Sequence, residues 1–320
     1  MTLFVEKSPW KSPAIKDAIR LFALEEIILR DKPKKLQLVS VNQKLHQVLS
    51  GLCQNSGIAY EWKSPPGAPK RKWSLSGIYQ ALPMSLQGLI SLRHLFTIWH
   101  LKKTKKPSWF GGSKTLFFCS YFIHLGKESY QRGAFCSHQW GGLPKLLQYE
   151  GYNSNWLQHY MESSVVPDTQ VATRGIKSFN ESGERHGLHA FIYGYITWGV
   201  VLRVLKDWLK LIFVSFHLRG IRDAFCPSES YFSLWPLMQA DWLNSLRGPV
   251  AIRNLLWVEL FDKALGNLPH QDTGLYLCEN QSWERAFIHA WRKFGHGQLV
   301  AVAHTTVRFW DLRYFFDSRS

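Results

Sequence analysis

The chain predicts an α/β protein built on a Rossmann-like parallel sheet with helical insertions, and three observations carry that expectation. The opening residues alternate short apolar runs with helical patterns, in the order strand, helix, strand, helix, strand. In the closing stretch, Gly274 to Glu279 and Gln298 to His304 are short apolar runs of the kind that form parallel strands buried on both faces. Between those two runs, Trp283, Phe287, Ala290, Trp291 and Phe294 make one apolar stripe of helical period.

Each element has its own signals. Thr2 to Glu6 reads as a strand, ended by the prolines of KSPWKSP. Ser12 and Pro13 open a helix whose apolar face is Ile15, Ala18, Ile19, Phe22, Ala23 and Ile27. Leu36 to Val41 is the second strand, Gln43 to Gln54 a helix and Ile58 to Trp62 the third strand. Residues 1–62 thus read as the first part of the Rossmann-like domain.

Residues 63–113 read as a basic linker, SPPGAPKRK, followed by an amphipathic helix over Leu75 to Leu101 bent at Pro83. No Asp or Glu occurs between Glu61 and Glu128. That helix is expected to pack on the sheet or to lie on anionic lipid. Residues 114–162 continue the sheet, with strands at Lys114 to Ile123 and Asn155 to Met161 and a short helix between Gly141 and Glu150. Residues 163–267 read as a helical insertion, with a membrane interface as one expectation. Within it, Ser163 to Gly187 is polar and turn-rich, a mobile loop. Leu188 to Leu202 is fifteen residues without a formal charge, short of the roughly 20 that span a bilayer, and is expected as a buried or interfacial helix. Residues 268–320 close the sheet with the strand, helix, strand unit and start a crossover. In the closing helix Asn280 or Ser282 is the expected cap, Glu284 suits the first turn, Arg292 and Lys293 the last, and Gly295 the left-handed stop.

The 320 residues are 46% hydrophobic, enough for a sizeable core, which excludes a disordered chain. A formal net charge of +16 makes an anionic partner the physical expectation, and 15 Trp, 20 Phe and 12 Tyr add stacking surface. Five scattered cysteines without a CxxC read as reduced thiols rather than a zinc site or a disulfide framework. The first residues lack the pattern of a secretory signal, so a cytoplasmic location is expected. GGSK has neither the spacing nor the following helix of a phosphate-binding loop.

The run YLCENQSWERAFIHAWRKFGHGQLVAVAHTTVRFWDLRYFFD, with SPWKSP near the start and FCSYF and WGGLP in the middle, resembles the bacterial surface carbohydrate biosynthesis family linked to O-antigen (lipopolysaccharide) loci. The resemblance implies a glycosyltransferase of GT-B type, acting as a peripheral protein at the inner face of the inner membrane. It implies transfer from a nucleotide-sugar to a glycan or lipid-linked acceptor. GT-B enzymes have two Rossmann-like domains. The resemblance implies that this chain is the amino-terminal, acceptor-side one with insertions, so a second-domain partner chain or a homodimer is expected to complete the donor site.

Sugar transfer with inversion needs a base for the acceptor proton and positive charge for the leaving phosphate. Glu279, His304 and Glu6 end predicted strands and are the catalytic candidates. Each has a structural alternative: a helix cap or lysine partner for the carboxylates, a core hydrogen bond for the histidine. Arg308 and Arg313 offer guanidinium forks for phosphate, with an ion pair to Asp311 as the alternative. Asn280, Gln281, Ser120 and Tyr121 are candidates for sugar hydroxyls, and Trp310 or Trp283 for stacking on a ring. No acidic pair has metal-ligand spacing, so no metal or other cofactor is expected. A basic scaffold or nucleic-acid module is the competing class. The chain shows no RNP-type aromatic motif, helix-turn-helix signature or zinc knuckle, and nucleic acid is not the expected partner.

Overall fold

The structure is a computed structural model that describes residues 13–66, 74–104, 107–181, 187–218, 220–279 and 281–303. In chain order it contains α1 (Pro13–Asp31), β1 (Lys35–Val39), α2 (Gln43–Asn55), β2 (Ala59–Lys63), α3 (Leu75–Ala81), α4 (Met84–Ser91) and α5 (Arg93–Ile98). Next come β3 (Thr115–Phe122), α6 (Lys127–Gln131), α7 (Leu143–Tyr149), β4 (Asn153–Tyr160), α8 (Thr169–Glu181) and β5 (Gly187–Phe191). The last elements are α9 (Trp198–His217), α10 (Trp235–Arg247), α11 (Pro249–Leu265), β6 (Thr273–Leu277), α12 (Ser282–Lys293) and β7 (Gln298–Val302). The predicted strand at Thr2 to Glu6 lies outside the described residues.

The chain divides into two compact units. The first comprises the described residues up to 89 together with 208–251. Its strands β1 and β2 pair in parallel with each other, Lys35 opposite Ala59 through Val39 opposite Lys63. Asn42 starts α2 by accepting the backbone N–H groups of Lys44 and Leu45 at 3.1 and 3.2 Å. Leu21, Ile28, Val48, Leu49, Leu52, Phe232 and Leu237 form the core. Glu25, 6% exposed, is held there by the backbone N–H of Tyr231 at 2.6 Å and by the Ser230 hydroxyl. The bend expected at Pro83 is a full break: α3 ends at Ala81, and Leu82, restrained by the proline after it, is extended with ψ 150°.

The second unit comprises the described residues of 90–207 and 252–303, and is built on five parallel strands in the order β5-β4-β3-β6-β7. This is an α/β sheet compatible with a Rossmann-like fold. The expectation that the opening and closing segments share one sheet is corrected. β6 and β7 find their partner in β3, Phe117 opposite Gly274 and Cys119 opposite Tyr276, whereas β1 and β2 pair with each other. The physical reason lies in the strands. TLFFCSYF can be buried on both faces, whereas KLQLV and AYEWK alternate with polar residues and leave one face wet.

One face of this sheet presents Phe118, Trp156 and His189. Phe118 stacks on Trp156 at 4.1 Å, Trp140 meets Phe118 edge-on at 5.0 Å, and Phe179 of α8 lies 5.4 Å from His189. The other face presents Phe117, Tyr121 and His159 to α11 and α12 through Trp257, Phe261, Trp283, Phe287 and Trp291. Gly274 makes room for α12, because a Cβ there would sit 2.6 Å from the Trp291 ring.

Two segments of the insertion differ from expectation. Ser163 to Gly187, read as a loop, contains α8. Asp168 caps it through the N–H groups of Gln170 and Val171 at 2.8 and 2.7 Å, and it buries Ala172, Ile176 and Phe179 at helical spacing. The run Leu188 to Leu202, expected as a helix, is strand β5, one 3-10 turn at Ile192–Tyr195 and the start of α9. An apolar run this short does not separate a buried strand from a buried helix. β5 is an edge strand, and Asn180 completes it: its amide accepts from His189 N at 2.8 Å and donates to His189 O at 2.9 Å.

Candidate functional site

In the second unit β3 connects to β4 and β4 to β5 through helices on one face, and β6 connects to β7 through α12 on the other. The direction of winding therefore reverses between β3 and β6. The crevice outside the carboxyl ends of strands at such a switch point is where open α/β sheets bind ligands.

Tyr121, Glu279 and Gln281 meet at this edge. Tyr121 is half-buried near the end of β3, and its hydroxyl accepts the Trp283 indole N–H at 2.7 Å. Burial, followed by the nearby negative charges of Glu279 and Glu284, pushes its phenol well above the ordinary range. It is therefore a neutral hydrogen-bonding group at any physiological pH. Glu279 follows β6, half-buried, and its Oε2 accepts from Gln281 Nε2 at 2.9 Å. Gln281, rather than Asn280 or Ser282, is the N-cap of α12.

Glu284 fixes this turn. Its carboxylate is 2% exposed, and Oε1 accepts the backbone N–H groups of Glu279 and Gln281 at 2.9 and 2.8 Å. The interaction is the acidic half of a capping box and anchors the segment carrying Glu279 to the first turn of α12. Glu284 was legible as a first-turn acid; that it shapes the Glu279 turn follows only from the backbone path.

Ser120 does not join the group. It is 1% exposed on the opposite face, where its hydroxyl accepts the Trp140 indole N–H at 2.8 Å, a core role. Glu6, Asn280, His304, Arg308, Trp310 and Arg313 lie outside the described residues.

Two histidines near this edge were missed. His124 is exposed, two residues past β3, and has φ 55°, a left-handed conformation uncommon for a residue with a side chain. Its carbonyl accepts His138 N at 2.9 Å, which holds the strained loop closed. The sequence marks only a histidine after a strand; the strand order puts it at the switch point. His159, opposite Tyr121 on β4, is 3% exposed and pushed down to about 3 by burial. Its ring lies 4.3 Å from Trp283 and its Nε2 is 3.8 Å from Cys119 Sγ, so it is a neutral core group.

The edge thus brings together a carboxylate, a neutral phenol and an amide, and the imidazole of His124 follows the end of β3 on the same side of the sheet. This set can hydrogen-bond a polyol and accept a proton from one of its hydroxyls. Among the described residues, no group of three or more His, Cys, Asp or Glu is placed to hold a metal ion. Among them, too, no helix is long and apolar enough to cross a membrane. Comparisons of the chain with models of protein families, with curated proteins and with solved structures found no match.

Proposed function

We propose that this chain is a surface-glycan glycosyltransferase of GT-B type that handles its substrates at the carboxyl edge of the five-stranded sheet. The observation that carries the reading is the meeting of Glu279, Gln281 and Tyr121 at the switch point between β3 and β6. In this reading Glu279 takes the proton of the acceptor hydroxyl as the new C1–O bond forms and the bond from C1 to the nucleotide phosphate breaks. Tyr121 and Gln281 hydrogen-bond sugar hydroxyls, and His124 is the second candidate base. His304, Glu6, Asn280, Trp310, Arg308 and Arg313 keep the roles expected from the sequence, the arginines neutralising the leaving phosphate.

GT-B enzymes use two Rossmann-like domains, and the described residues contain one five-stranded parallel sheet. A second copy or a partner chain completes the donor side in this proposal. The substrates are a nucleotide-sugar and a glycan or lipid-linked acceptor, with no metal or cofactor. The inner face of an anionic membrane is the proposed location. Supporting it, α9 carries Leu209, Phe213 and Phe216 at helical spacing, each more than 60% exposed, beside exposed Lys210.

The test is incorporation of labelled sugar from nucleotide-sugar donors into glycan, in membranes of the source cells that carry either the wild-type chain or Glu279→Gln. Loss of a general base lowers the rate by about 100-fold or more. Full incorporation with Glu279→Gln would remove Glu279 from the chemistry.

A further inference from the structure

A cavity with a buried polar group on its wall lies in the five-stranded unit away from the switch point. It measures about 500 Å³ and opens at the amino-terminal ends of β4 and β5, on the face covered by α6, α7 and α8. Its volume falls within the roughly 300–1,000 Å³ of small-molecule sites. Phe135, Trp156 and Phe179 supply aromatic wall, and Arg132 and Lys145 stand exposed at the rim. Among the described lining residues there is no carboxylate.

His189 is the buried polar member, 3% exposed. Its Nδ1 lies 2.9 Å from Gln158 Nε2; with that amide as donor, Nδ1 accepts and the proton sits on Nε2. Burial keeps the ring neutral. Nε2 lies beside Gly187, 3.2 Å from where a Cβ on that glycine would be, and a Cβ there would also come within 3.3 Å of Ser154 Oγ. The absent side chain at Gly187 thus leaves open the space that His189 Nε2 and Ser154 Oγ border.

We propose that this cavity binds a small aromatic anion, a planar ring carrying a phosphate or carboxylate. The ring lies on the cavity side of Phe135, the half-buried member of this aromatic wall, where stacking and burial favour it. Where the ring carries an acceptor, as a nucleobase does, that edge accepts from His189 Nε2, and the anionic group meets Arg132 and Lys145 at the rim. Nucleotides and aromatic carboxylates share this chemistry. The site is separate from the edge where Glu279 lies, and does not depend on the transfer reading.

The Trp156 indole N–H donates to Ser154 Oγ at 2.8 Å in the cavity wall, which gives a local NMR reporter. The full chain is titrated with AMP, phenyl phosphate and benzoate, and separately with adenosine and inorganic phosphate. At least one aromatic anion is expected to shift the Trp156 indole signal and to bind more tightly than adenosine or phosphate. Replacing both rim cations, Arg132→Ala with Lys145→Ala, weakens that anion by about tenfold or more and leaves adenosine unchanged. Gly187→Ala weakens every ring-bearing ligand, and Glu279→Gln changes none of these affinities. The same indole spectrum reports whether each variant keeps its fold. No shift with any aromatic anion at millimolar concentration would overturn the proposal. So would unchanged affinity in the rim variant, or inorganic phosphate binding as tightly as the tightest aromatic anion.

Discussion

His159 and His189 make the five-stranded unit acid-sensitive, and the size of the effect follows from their burial. Each is 3% exposed, and burial pushes each down to about 3. His159 is surrounded by Cys119, Tyr121, Trp257, Phe261 and Trp283, and His189 by Phe135, Trp156, Phe179 and Gln158, with no carboxylate among these neighbours to stabilise a charge. In the unfolded chain a histidine titrates near 6.5. Between about 6.5 and 3 the unfolded state therefore binds protons that the folded state refuses. Stability rises with pH across that window and is lost as pH falls below about 6.5.

At pH 5 the loss is about 2 kcal/mol per histidine, or about 4 kcal/mol for the pair, a large part of the roughly 5–15 kcal/mol by which domains are stable. The assay is urea unfolding at pH 7.5 and pH 5.0 followed by tryptophan fluorescence, for the wild type, His159→Gln and His189→Gln. Each variant loses stability at pH 7.5 but shows a pH-dependent loss about 2 kcal/mol smaller than the wild type. Equal midpoints for the wild type at the two pH values, or an unchanged pH dependence in both variants, would refute the reasoning.

Glu284→Ala removes the acceptor of the Glu279 and Gln281 amides and is expected to cost about 2–4 kcal/mol, with faster hydrogen exchange at those two amides. Glu284→Gln keeps one oxygen acceptor and should cost about half as much; equal losses would mean that the carboxylate acts through something other than these two bonds. On α9, replacing Leu209, Phe213 and Phe216 together by serine should abolish co-sedimentation with phosphatidylglycerol vesicles while leaving the melting temperature nearly unchanged. Retained co-sedimentation would remove α9 as the lipid-contacting element.

The elements most legible in the sequence were those whose pattern had one physical reading. α12 placed Trp283, Phe287, Ala290 and Trp291 in the core as its period required, and Gly295 ends it with φ 69°. Phe294, the last member of the predicted stripe, caps the helix at 38% exposure because the helix stops there. α8 escaped because its buried positions are separated by polar residues and one is a glycine, Gly175, beside the Tyr130 ring.

Strand pairing was the larger gap. β3, β6 and β7 each read as strands, yet nothing local dictates that β6 lies beside β3 rather than beside β1. The switch point follows from that pairing, and with it the position of His124 beside that point, which its residue type alone did not signal. Ser120 shows the converse: a serine near a strand end resembled a ligand contact, but alternation along β3 turned it to the face that Trp140 covers.

The most direct measurement of the central claim is the Trp283 indole N–H signal, which reports the bond to Tyr121 at the switch-point edge. The full chain is titrated with UDP-, GDP-, CMP- and dTDP-linked sugars and with the free sugars. The account predicts that at least one of these ligands shifts the Trp283 signal and that Glu279→Gln weakens that response. A Trp283 signal that none of them moves, or a response that Glu279→Gln leaves intact, would contradict it.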